Sequence, residues 1–345
     1  MPKLLIEYDQ AAAKLANKAF NDILHFNLKR QETPPVAVPP NGYLYHYTSV
    51  EGLKGIIENN ELWATSAYYL NDSAEVIYGC GVLKQALDQW IAQNPRSVDS
   101  LSLRLATDLR KAFGDDFLNK TLIEPIYLVC FCENDNLLSQ WRAYGQSGGY
   151  SLGFKVAIGS RFENEGFTPE PRTYTGKWVK VEYKRPKQAE RCESILNSVL
   201  TVFDDAETAH AIVSIGDHPQ SGYSRFFRII VEMLFEEIVG FKNEAFKEEN
   251  EWRIVVRPRE LLKQRVGDDY DDGGTPMPIY FRCSKGMLIP YVKLNAHYLK
   301  KLPIASVRSG PTLDKTTAQM SIVMILEKNG FPPVSVEGSD ITVRL

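Results

Sequence analysis

Short stretches of alternating apolar and polar residues, set between helix-length segments without a regular strand–helix–strand rhythm, constrain the fold of this 345-residue chain more than any other feature. Tyr150, Leu152, Phe154 and Val156 alternate, and so do Trp252, Ile254 and Val256. A strand turns successive side chains to opposite faces, so both stretches predict half-buried strands. Residues 126–132 are instead almost continuously apolar over strand length, which predicts a central strand covered on both faces. Further strands are expected at 43–47, 62–65 and 178–183, with three or four more between Met277 and Leu345. Helical spacing recurs over 10–28, at Leu53, Ile56 and Ile57, from Ile77 to Ile91, and over 101–109, 189–213, 225–238 and 318–328. Leu137, Leu138 and Trp141 mark a shorter helix. Together these predict an α+β protein, with mixed, mostly antiparallel sheets and packed helices, rather than a doubly wound one.

Residues 1–40 read as a separate arm. An amphipathic helix is followed by Pro34-Pro35-Val36-Ala37-Val38-Pro39-Pro40, where proline removes donors and favours an extended path. Such an arm is expected to dock on the body, on a second copy of the chain or on a partner protein. Residues 42–345 are expected to form a single α+β domain with helical inserts near 73–120 and 187–245. With 44% hydrophobic and 24% charged residues the chain is globular, not disordered or fibrous. Its 40 basic and 43 acidic residues leave a net charge of −3 and no global field for nucleic acid or an anionic membrane. No apolar run approaches the roughly 18 residues of a membrane helix, and the N-terminus is charged too early for a signal peptide. Cys80, Cys130, Cys132, Cys192 and Cys283 are odd in number and lack a C-x-x-C spacing, which points to reduced thiols in a cytoplasm.

Several familiar signatures are missing. There is no G-x-x-x-x-G-K-[ST] and no H-E-x-x-H, and the glycines at 145, 148 and 149 precede a strand rather than follow one. The acidic run at 268–272 lacks the closing glutamate of a calcium loop and reads as a solvated loop.

Three clusters carry chemistry. The first joins Tyr45-His46-Tyr47-Thr48-Ser49 to Leu62-Trp63-Ala64-Thr65 and Asn71-Asp72-Ser73-Ala74-Glu75. Thr48 and Glu51 fit a capping box, and Asp72 with Glu75 fits another cap, although a capped helix start is also an anion site. His46 could be a satisfied core histidine or a neutral imidazole that binds a sugar hydroxyl. The second cluster runs from Cys130-Phe131-Cys132 through Trp141 and Tyr144 to Gly149-Tyr150. Trp141 and Tyr144 suit core packing or the rim of a cleft where a flat ring stacks. The third is Phe246-Lys247-Glu248-Glu249-Asn250-Glu251-Trp252-Arg253. In a strand starting at Glu249, Glu249, Glu251 and Arg253 share one face, with Arg257 beyond them. That row is either a solvated edge of ion pairs or a site where carboxylates hold a sugar hydroxyl and support a developing cation.

In their order these motifs resemble an uncharacterised bacterial family, a domain-of-unknown-function family. Its pattern runs Y-x-H/Y-Y-T, N-D-x-x-E, C-F-S-like, W-x-x-Y-G and F-x-x-E-x-E-W-R, over about residues 42–345, and Gly310-Pro311 and Ser339-Asp340-Ile341 resemble its ending. More distantly, Tyr45-His46-Tyr47-Thr48-Ser49, the following helix and the strand ending in Ala64-Thr65 resemble the opening of the ADP-ribosyltransferase superfamily. That resemblance implies a transferase-like core with helical insertions and NAD as substrate. His46 would hold a ribose hydroxyl, Tyr68 or Tyr69 would stack on nicotinamide, and Glu251, with Glu249 in the E-x-E arrangement, would be catalytic. Tyr47, Thr48, Asn71, Asp72, Trp141, Tyr144 and Arg253 are the remaining candidates for contacting NAD. The acceptor would be protein, nucleic acid or a small molecule, in a toxin or phage-defence role. One alternative is a metal-dependent nuclease or hydrolase holding magnesium through Asp72, Glu75, Glu249 and Glu251. Another is a non-enzymatic partner or sensor module.

Overall fold

The fold was read from a computed structural model, which describes residues 14–19, 22, 39, 41–70, 74–94, 100–114, 126–144, 148–155, 174–214, 221–258, 278–284, 286–295, 301–311 and 314–341. The chain divides into two compact units. One comprises residues 1–34, 73–124 and 182–244, and the other residues 35–72, 125–181 and 245–345. All ten strands of the described residues lie in the second unit, so the chain is α+β.

Four strands of that unit, β1 (Tyr43–Ser49), β4 (Gly149–Lys155), β9 (Ile304–Ser309) and β10 (Ser335–Gly338), form a sheet in the order β1-β4-β9-β10. Its pairs are antiparallel except for β9 with β10. The other six are β2 (Glu61–Ser66), β3 (Tyr127–Phe131), β5 (Tyr174–Lys180), β6 (Trp252–Pro258), β7 (Tyr280–Ser284) and β8 (Met287–Asn295). They make an antiparallel sheet in the order β5-β6-β3-β2-β8-β7. The apolar stretch read as a central strand is β3, third of the six. One face of each sheet contributes to a single apolar cluster. Leu44, Leu152, Phe154 and Val307 come from the first sheet, and Tyr127, Val129, Phe131, Trp252, Ile254, Val256 and Val292 from the second. The cluster is completed by Leu53, Ile56 and Ile57 of α1 (Val50–Asn59). The helix near the C-terminus, Lys315–Lys328, adds Ile322 and Leu326.

Two expectations change. The cap of α1 is Ser49, whose hydroxyl accepts from Gly52 N at 3.2 Å, and Thr48 remains in β1, because the strand runs one residue further than the capping-box spacing allows. The helix expected over 189–213 is two helices, Arg185–Val202 and Ala206–Ser214. Asp205 accepts from Thr208 N at 2.8 Å, which begins a new helix where one was expected to continue.

The first unit, as described, is helical: residues 14–19, α2 (Ala74–Gln93), α3 (Leu101–Ala112), and the segments Arg185–Val202, Ala206–Ser214 and Ser221–Ile238. Gly79 lets α2 lie against Ile238, since a Cβ there would stand 2.8 Å from the Ile238 carbonyl oxygen. Buried Gln188 donates to the carbonyls of Glu182 and Lys242 at 2.6 and 2.9 Å and accepts from Tyr78 Oη at 2.9 Å. Lys242 also pairs with Glu75 at 3.0 Å.

Candidate functional site

The partner of one β3 edge changes along its length. Tyr127 and Leu128 pair with Ser66 and Thr65 of β2. Just past the end of β3, Cys132 exchanges two 2.8 Å backbone hydrogen bonds with Tyr45 of β1. Between them stands Cys130, whose carbonyl points to the same edge as that of Cys132 because alternate peptides share a direction. The gap is bridged by a side chain: His46 of β1 places Nδ1 2.9 Å from Cys130 O. A carbonyl only accepts, so Nδ1 carries the proton and Nε2 of the neutral ring is an acceptor. Burial lowers the His46 pKa; the Cys130 hydrogen bond opposes that, and the nearby Arg282 charge adds to it.

On the other edge of β3, Cys130 pairs with Arg253 of β6. Arg253 clamps Glu251 in a two-pronged ion pair, Nε to Oε1 at 2.8 Å and Nη2 to Oε2 at 3.1 Å. Both side chains are buried, 1% and 3% exposed, so the row is not the solvated edge that the pattern allowed. Nor does Glu249 belong to it. A 3-10 turn covers Glu244–Glu249, and Asn250 takes a left-handed φ of 42°, so the strand begins at Trp252 and the Glu249-to-Glu251 alternation is broken. Asparagine is among the few residues that tolerate that conformation. Trp252, Ile254 and Val256 face the core as expected. The Arg257 side chain lies outside the described residues.

Two candidates are held by packing and hydrogen bonds within the fold. The Tyr47 hydroxyl donates to Asn134 O at 2.9 Å and accepts from Leu137 N at 2.8 Å, and burial raises its pKa well above the usual phenol value. Its ring meets Trp141 edge-on, centroids 4.8 Å apart. Trp141 is buried on the short helix α4 (Leu138–Tyr144) and donates to Asn136 Oδ1 at 2.9 Å. The same Asn136 oxygen accepts from Ser339 Oγ at 2.7 Å, which ties in the C-terminal segment. Gly310 is required here, because a Cβ would come within 2.9 Å of the Trp141 ring. Tyr144 and Tyr69 are exposed, and Tyr68 and Thr48 are half-buried. Asn71, Asp72, Ser73 and the glycine-rich residues 145–147 lie outside the described residues.

Side chains of β2, β7 and β8 surround the gap's β2 side; Trp63 and Thr65 stand in the sequence motifs, whereas Tyr280, Arg282 and Tyr291 do not. Register places Thr65, Leu128 and Tyr291 in one row and Tyr280 beside Tyr291. Arg282 of β7 therefore shares their face, and its Nη2 donates to Thr65 Oγ1 at 2.9 Å. Its guanidinium stands 6.0 Å from the ring centres of both Trp63 and Tyr291, which stack 4.3 Å apart. No local spacing distinguishes Arg282 from a surface arginine; only tertiary pairing does.

A separate cavity of about 270 Å³ opens on the other face of β1, lined by Tyr43, Tyr45, Asp135, Ser306, Arg308 and Glu337. Arg308 is consumed there by Asp135 at 2.8 Å and Glu337 at 2.5 Å. Among the described residues no three His, Cys, Asp or Glu side chains gather as a metal site, and no helix is long and apolar enough to cross a membrane.

A family model described as "Protein of unknown function (DUF2971)" matches residues 140–254, about a third of the chain. The match takes in Trp141, Glu249, Glu251 and Arg253 and ends before the segment that carries Arg282. No curated protein and no solved structure matches the chain significantly.

Proposed function

We propose that the chain is an ADP-ribosyltransferase-like enzyme that uses NAD as substrate, with its active site around the gap on β3. One observation carries the reading: Cys130 has a neutral imidazole bound at one edge and, at the other, the strand whose buried arginine clamps Glu251. His46 Nε2 accepts a ribose hydroxyl, the role that its tautomer leaves open. Glu251, fixed in orientation by Arg253, accepts the hydroxyl next to the anomeric carbon and stabilises the cation that forms there. The glycosidic C–N bond breaks with its electron pair leaving on nicotinamide. The acceptor's nucleophile then bonds to the anomeric carbon and gives up its proton to solvent. With water as acceptor the same steps make an NAD glycohydrolase.

The test is nicotinamide release from NAD by the full chain, followed by chromatography. Wild type is expected to release nicotinamide and Glu251→Gln to lose at least about a hundredfold, since removal of one transition-state partner costs on that order. Equal turnover by the two proteins would remove Glu251 from the chemistry, and no turnover with any acceptor class would remove the activity.

A further inference from the structure

Charged groups withdrawn from water are ordinarily paired, so a half-buried cation whose partners are a hydroxyl and two rings is missing an anion. Arg282 is that cation: among the described residues its partners are Thr65 Oγ1 and the faces of Trp63 and Tyr291. A guanidinium has five N–H donors, and one of them is engaged here. Among the described residues no carboxylate is paired with it. Glu61 is already taken by Lys293 at 2.9 Å and by Trp63 Nε1 at 2.8 Å. Burial lowers the Arg282 pKa from its ordinary value, with Tyr291 opposing the shift.

We propose that Arg282, walled by Trp63 and Tyr291 and anchored by Thr65, is the phosphate-binding residue of this site, and that its ligand is a nucleotide or sugar phosphate carrying a free hydroxyl for His46. The two halves of that ligand follow from the two residues. A planar fork of donors suits the oxygens of a phosphate, and the rings shield the pair from water, which strengthens it. His46 Nε2 can only accept, so it repels an anion's oxygen and selects a hydroxyl. The two are linked through β3: Thr65, which anchors Arg282, pairs with Leu128, two residues before the Cys130 whose carbonyl His46 binds. The proposal rests on the β3 gap being the ligand site, but not on NAD being cleaved there.

The experiment titrates the full chain with ADP, inorganic phosphate and adenosine by calorimetry, in wild type, Arg282→Gln and Arg282→Lys. ADP is expected to bind wild type and to lose roughly tenfold or more in Arg282→Gln, with Arg282→Lys intermediate. Phosphate competing with ADP identifies the bare anion as sufficient; adenosine competing equally well contradicts the proposal, as does ADP binding the two substituted proteins as it binds wild type. A second readout uses wild type alone and is immune to misfolding of a variant. Arginine modification by phenylglyoxal, mapped by mass spectrometry, is expected to reach Arg282 faster than the clamped Arg253 and to be slowed by ADP. An Arg282 rate unmoved by ADP overturns the proposal. ADP protection of Arg282 with NAD left intact would end the transferase reading and keep the phosphate site. NAD cleavage without Arg282-dependent ADP binding would do the reverse.

Discussion

Arg253 and Arg282 project from the same face of the six-stranded sheet, yet their surroundings are opposite. Arg253 is fully enclosed, with a carboxylate clamped across two of its nitrogens; Arg282 is half-buried, with one hydroxyl and two aromatic faces. The first arrangement is internally complete and fixes a carboxylate. The second has donors left over and, among the described residues, no carboxylate paired with it. The difference separates a group that shapes a site from a group that awaits a ligand, although both are arginines on β-strands.

Substitutions should split along that line. Arg253→Met removes both prongs of the ion pair from a buried carboxylate, and it should cost about 3–5 kcal/mol in urea unfolding. Arg282→Gln should cost under about 1 kcal/mol, its effect falling on ligand affinity instead. Similar stability losses for both would break the comparison. Tyr47→Phe strands the Asn134 carbonyl and the Leu137 amide and should cost about 1–3 kcal/mol, read as a lower unfolding midpoint. Ser49→Ala removes the α1 cap and should cost about 1 kcal/mol, more than Thr48→Ala, which places the cap one residue beyond the spacing rule.

The pH dependence sharpens the comparison with the smallest effect. Burial depresses the His46 pKa below 6.5, so the unfolded chain binds this proton more readily than the folded one. Stability contributed by the neutral ring is therefore present above pH 6.5 and is lost as pH falls from there toward the depressed folded value. His46→Gln should flatten that part of the stability profile. Arg282→Gln, by removing a repelling charge, should raise the His46 pKa in a proton NMR titration; no movement would mean that Arg282 does not act on the imidazole.

The backbone was more legible than the site. Trp252, Ile254 and Val256 announced β6 because a half-buried strand has to alternate, and β3 announced itself because a doubly covered strand cannot. The break between the helices ending at Val202 and beginning at Ala206 was written in the sequence as Asp205, a good cap, but apolar spacing on both sides masked it. Asn250 gave no warning of its left-handed turn, so Glu249 was placed on a row it leaves. Trp141 could be read as core or cleft from its spacing; Asn136, Ser339 and Gly310, brought from distant parts of the chain, decide for core. Arg282 was invisible for a related reason. Its meaning lies in having no carboxylate partner among the described residues, and pairing across strands is a property that no window of sequence contains.

The most direct measurement follows the His46 ring signals by NMR as NAD is added to the full chain. The account predicts a saturable shift of the His46 resonances, displaced by ADP in wild type and at least roughly tenfold weaker in Arg282→Gln. His46 resonances that stay fixed while NAD saturates the protein would contradict it, because the dinucleotide would then sit elsewhere.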